Sequence, residues 1–150
     1  CQEPEKMQRA WDLTAAILEQ LDRETDQDGC QLVVMAVPCA IQVYSDSERE
    51  LRERLPESSD FDPLHPSERL AGICQQEGIP CLLMASDFRH RAPARLSTRE
   101  DEWLFFNGSG HLNHAGHRAA AENLFAFLDS QQLVPRAPAS AHAEQPRPQR

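Results

Sequence analysis

Gln31-Leu32-Val33-Val34-Met35-Ala36-Val37 is the stretch from which the fold class follows. It is far shorter than the roughly 20 apolar residues needed to cross a bilayer, so it reads as a strand. After Gln31 no polar residue interrupts it, and an apolar strand without alternation belongs where both faces are covered. That favours the interior of a parallel sheet over a half-exposed hairpin. Pro38 closes the run.

Upstream of this strand, Asp26, Asp28 and Gly29 mark a chain reversal. Before them Met7, Ala10, Trp11, Thr14, Ile17, Leu18 and Leu21 recur at steps of three and four, with Pro4 at the first turn. The spacing predicts a helix over residues 5–23 with those side chains turned inward.

Downstream, residues 45–54 predict a short charged helix resting on Leu51 and Leu55 and stopped by Pro56, and residues 57–64 read as an acidic loop. His65-Pro66-Ser67-Glu68-Arg69 opens another helix, with Leu70, Ile73 and Cys74 inward and Gly78 as its stop. Pro80-Cys81-Leu82-Leu83-Met84-Ala85 is the second buried strand. Helix, strand, helix, strand with short joints is the pattern of parallel βαβ packing, so the expected class is α/β.

From residue 86 to 101 the chain is polar and interrupted by proline, and it reads as a long surface loop. Trp103-Leu104-Phe105-Phe106 returns it to the core. A last helix is expected over residues 114–131, with Ala120, Leu124, Phe127 and Leu128 inward. Residues 134–150, dominated by Ala, Pro, Gln and Arg, read as a disordered tail, which leaves one domain over residues 5–133.

The 150-residue length suits a single domain, and a formal net charge of −9 argues against a nucleic-acid surface, which needs clustered Lys and Arg. With no apolar run long enough to span a bilayer, a soluble segment is expected. Five cysteines form no Cys-x-x-Cys pair. Cys74 and Cys81 bracket a helix end and a strand start, and the sequence alone leaves a disulfide between them open. A chain beginning at Cys1 suits either a mature lipoprotein or a truncation; with a helix following almost at once, truncation is the expectation.

Chemistry concentrates in Phe106-Asn107-Gly108-Ser109-Gly110-His111-Leu112-Asn113-His114-Ala115-Gly116-His117. Gly108 and Gly110 are read as loosening a loop that presents His111 at its rim, and Asn113 as the N-cap of the helix behind it. His111, His114 and His117 are no metal set. Outer residues six apart on a helix splay by about 120°, and neither a Cys cluster nor a His-Glu-x-x-His pattern completes a site. His114 and His117 read as first-turn surface residues. No metal and no cofactor is expected. The sharper role for His111 is a general base that takes a proton from a serine, which needs an imidazole at the open edge of a sheet, oriented by a carboxylate.

At this point the chain resembles the C-terminal half of SGNH hydrolases, also called GDSL-type esterases. The likeness runs over residues 7–133: a strand closing on Val37-Pro38, a helix bearing Arg69-Leu70, a strand followed by Asp87-Phe88-Arg89, and Gly110-His111-Leu112-Asn113 with Gly116-His117 before an alanine-rich helix. The resemblance implies a three-layer α/β/α flavodoxin-like parallel sheet that cleaves esters, acetyl or acyl groups on carbohydrates or lipids, with His111 as the base. The family's Gly-Asp-Ser block and its glycine and asparagine blocks are not found here, so the first strand and the nucleophilic serine are expected upstream of Cys1, and the isolated chain is expected to be inactive. The positions usual for the triad acid hold Ser109 and Gly108, which leaves Asp87 and Asp101 as candidates by loop position. The alternative is a non-catalytic α/β binding module that uses the sheet edge and the acidic stretch 46–62.

Overall fold

The computed structural model describes residues 4–56, 60–92, 103–107 and 109–134. Within them the order is α1 (Glu5–Gln27), β1 (Val34–Ala36), α2 (Ala40–Val43), α3 (Ser45–Arg54), α4 (His65–Glu77), β2 (Cys81–Leu83), α5 (Ala85–Arg91) and α6 (His114–Ser130). Strands β1 and β2 are parallel, pairing Val34 with Cys81, Met35 with Leu82 and Ala36 with Leu83. The class is therefore α/β, with a two-stranded parallel sheet among the described residues. The ladder is lengthened at both ends by Val34 N donating to Pro80 O and Met84 N to Ala36 O.

The core lies where β2 runs into α5 and meets α6. Phe88, Met84 and Cys74 are fully buried. Tyr44 meets Phe105 edge-on at 5.8 Å between ring centroids, and Phe88 sits 6.3 Å from Phe105, an arrangement that adds ring electrostatics to buried area. Leu104, Ala119 and Val43 complete the buried cluster, with Leu82, Leu112 and Leu124 packed against it. The α2 segment is tied down by the buried Gln42, whose Nε2 donates to Pro63 O (2.8 Å) and Ser67 Oγ (3.0 Å).

Several expectations change. Residues 85–91 form α5 rather than loop, because Phe88 anchors one face in the core while Asp87 and Arg91 pair across a turn; residues 93–102, the rest of that expected loop, lie outside the described residues. Strand β1 is shorter than its apolar run and is not covered on both faces: Met35 is 39% and Val37 44% exposed. Helix α1 has the expected period, yet the described residues cover only part of its apolar arc. Trp11, Thr14 and Leu18 are half-buried, whereas Met7, Ile17 and Leu21 join Leu13 at the surface. Gly78 ends α4 in the left-handed conformation (φ 73°), as expected of a C-terminal stop. Cys74 and Cys81 are free thiols. No helix is long and apolar enough to cross a membrane among the described residues. The tail from residue 135 onward lies outside them.

Candidate functional site

The segment carrying His111 is a short hairpin. Phe105 and Leu112 form an antiparallel bridge, Phe106 N donates to His111 O (3.0 Å), and Ser109 N donates to Phe106 O (3.1 Å). Gly108 lies outside the described residues. Gly110 has no left-handed φ, and a Cβ there would meet nothing within 4 Å, so the reading of Gly110 as a conformational necessity does not hold.

The sterically required glycine is Gly116. A Cβ on it would come within 2.0 Å of Leu104 O, because the first turn of α6 is pressed against the strand leading into the hairpin. Asn113 fastens the same contact. Its Oδ1 accepts from Gly116 N (3.0 Å), the expected cap, and its Nδ2 donates to Trp103 O (2.6 Å) and to Phe105 O (3.5 Å). Asn113 N donates to Leu104 O, and Tyr44 Oη accepts from Leu104 N (2.8 Å). Burial raises the Tyr44 phenol above its ordinary 10.0, partly offset by hydrogen bonds from the Leu104 and Phe105 backbone. Asn113 and Gly116 thus hold the base of the hairpin whose second arm carries His111, its carbonyl paired with Phe106 N. The pattern Gly-His-x-Asn-x-x-Gly is a scaffold as much as a site.

His111 is exposed, and its ring has no hydrogen-bond partner among the described residues. Ser109 does not orient it, since Ser109 Oγ accepts from the His111 backbone N–H (3.1 Å) instead. Asp87 is not at the hairpin. Its Oδ2 accepts from Asn123 Nδ2 (2.6 Å) and pairs with Arg91, and Asn123 lies about 13 Å along α6 from the helix start. Asp101 lies outside the described residues. His114 and His117 are exposed on the first turn of α6, and no three His, Cys, Asp or Glu side chains are grouped as metal ligands among the described residues. Within the acidic stretch, Asp46 pairs with Arg49 (2.8 Å) and Asp62 Oδ1 accepts from Leu64 N (2.8 Å), which are local structural roles.

Two hollows flank the hairpin, and Phe106, 53% exposed, borders both. One, of about 490 Å³, lies beyond the C-terminal end of β1, between Cys39, Ala40, Ile41 and Tyr44 on one side and Ser109 and Gly110 on the other. Clefts outside the carboxyl ends of parallel strands are where α/β sheets bind ligands. The other, of about 680 Å³, is rimmed by Arg91, Arg118, His114 and Glu122. Sequence reading found the loop that carries His111 but neither its hairpin pairing nor these walls, since Ile41 and Tyr44 belong to a four-residue helix and its cap, too short to leave a periodic signal. Compared with family models, curated proteins and solved structures, the chain matches none.

Proposed function

We propose that the chain is the C-terminal part of an SGNH-type serine hydrolase domain acting on ester bonds, with His111 as general base and the nucleophilic serine supplied from upstream. The observation that carries this reading is the placement of His111. It stands exposed on the second arm of a hairpin clamped by Asn113 and Gly116, and the two residues just before it, Ser109 and Gly110, wall the groove at the C-terminal end of β1. An imidazole there would take the proton of a serine hydroxyl as its oxygen attacks the ester carbonyl, and return it to the departing alcohol.

The open flank of the fold supports the same reading. Paired residues of parallel strands share a face, so Met35 lies with Leu82 on the side of the buried cluster that includes Ala119 of α6. Ala36, on the other face, lines a hollow with Trp11 of α1 and Leu70 of α4. Helices on both faces of a parallel sheet are the start of a three-layer α/β/α arrangement. A further strand along the free edge of β1 would complete it and cover Met35 and Val37.

The test is covalent labelling of the full-length parent with a serine-reactive fluorophosphonate. Labelling that His111→Ala abolishes is the expected result, together with a Gly-Asp-Ser-like block upstream in the reading frame. Labelling that survives the substitution removes His111 from the reaction. One observation favours the binding-module alternative: no carboxylate among the described residues is bonded to the His111 ring. A folded parent that never labels would count against the hydrolase reading and favour that alternative.

A further inference from the structure

We propose that the groove between α2 and the 105–112 hairpin binds an uncharged apolar chain; on the hydrolase reading, which this assignment extends, that chain is the acyl group of the ester. Its wall is mainly apolar, with Ile41, Tyr44, Trp103, Phe105 and Phe106 beside the uncharged polar Ser47, Asn107 and Ser109. At about 490 Å³ it falls within the usual range of small-molecule sites. The described residues lining it include no Lys, Arg or His, and its one acid, Glu50, is already paired with Arg54. A carboxylate or phosphate buried there would find no cation, and an unpaired buried charge is strongly disfavoured.

A sugar fits less well, because its hydroxyls would meet mostly carbon, the polar side chains of the wall being Ser47, Glu50, Asn107 and Ser109. The hollow on the far side of Phe106 differs in having cationic and titratable side chains at its rim, Arg118, His114 and the Glu122-paired Arg91. The hairpin therefore divides a side with cationic groups at its rim from one without, and an ester laid across it has its hydrocarbon part on the Ile41 side.

Cys39 provides a readout that needs no catalysis. It is an exposed thiol on the groove wall, and Cys30, exposed and absent from that wall, serves as the internal reference. Alkylation of both by N-ethylmaleimide is followed by mass spectrometry on this chain with 2-nonanone, with octanoate, or with N-acetylglucosamine added. The ketone, at ten times its dissociation constant, is expected to slow Cys39 alkylation about tenfold and leave Cys30 unchanged. Octanoate and the sugar should leave both rates unchanged. Ser47→Trp, which fills the groove from the α3 side, should abolish the ketone's effect with the helical circular dichroism preserved.

Protection by octanoate or by the sugar equal to that by the ketone would overturn the assignment, as would no protection by the ketone up to its solubility limit. Protection that persists in Ser47→Trp would move the ligand to the hollow on the Trp11 side, which Cys39 also borders, and would likewise overturn it. None of these arms uses the serine, so failure here and failure of fluorophosphonate labelling are separate results.

Discussion

Phe88 and Met84 are wholly buried in a cluster with Val43, Tyr44, Leu104, Phe105 and Ala119, whereas α1, the longest helix among the described residues, buries no residue completely and leaves Leu13, Ile17 and Leu21 at 62%, 50% and 42% exposure. The difference is one of what holds each region together. The hairpin end is held by tertiary contacts: the Phe88–Phe105–Tyr44 cluster, Asn113 on two carbonyls, and the close approach at Gly116. Helix α1 rests on the half-buried Trp11, Thr14 and Leu18, and its exposed local pairs, such as Glu5 with Arg9 and Glu19 with Arg23, add little. Even where α1 meets α4 the fit is loose, for Arg69 reaches Gln8 only at 3.4 Å and its Nε is buried without an acceptor among the described residues.

If the hairpin end is the cooperative core, Phe88→Ala is the largest single loss. Removing a fully buried ring leaves a cavity, and about 3–5 kcal/mol of unfolding free energy should disappear, measured by urea denaturation. A pair of glycine substitutions sharpens the comparison within the hairpin itself. Gly116→Ala forces a methyl group into Leu104 O and should cost about 1–3 kcal/mol or more, while Gly110→Ala, with open space around its Cβ position, should stay within about 0.5 kcal/mol. Equal costs at the two positions would mean that the clamp between α6 and the hairpin is not rigid.

A smaller effect is read through pH. Cys81 is pushed up to about 12 from its ordinary 9.0, first by burial and then by the neighbouring Cys74 thiol. Below pH 9.0 the thiol is protonated in both folded and unfolded chains, so its contribution is fully present. As pH rises toward about 12 the unfolded chain ionises first and that contribution is lost. Tyr44, also raised, acts in the same direction above its ordinary 10.0. The urea midpoint should therefore fall between about pH 8 and about pH 11, and Cys81→Ala should flatten the earlier part of that fall while leaving the Tyr44 part.

How much of this was legible in the sequence follows from the range of each signal. Helices α3, α4 and α6 and the Asn113 cap were readable because proline, glycine and apolar spacing act within a few residues. Helix α5 was not, since five of its seven residues are charged or polar, and the fully buried one, Phe88, has its ring partner in Phe105. Asn113's second role was hidden for the same reason: its amide reaches Trp103 O, ten residues back. The steric demand at Gly116 is made by Leu104, and no local pattern encodes it. Periodicity showed which side of α1 is apolar but carries no information on what lies against it.

That open side gives the smallest effect in this chain and the most telling contrast beyond it. Gln8 faces α4 through its bond to Arg69, and Ile17, nine residues on at about 100° per residue, is turned half a circle away. Helix α4 packs on β2, so the Ile17 flank faces away from α4, and on the proposed reading a strand on the free edge of β1, with its helix, is what covers it. In this chain Ile17→Gln should change stability by less than about 0.5 kcal/mol, as at other exposed positions. In a parent whose additional strand and helix cover that edge, the same substitution buries an amide in place of an aliphatic group and should cost about 1.5–3 kcal/mol. The same small value in chain and parent would show that the α1 flank stays exposed in the complete protein, and the apolar stripe would then have to be explained without an upstream half.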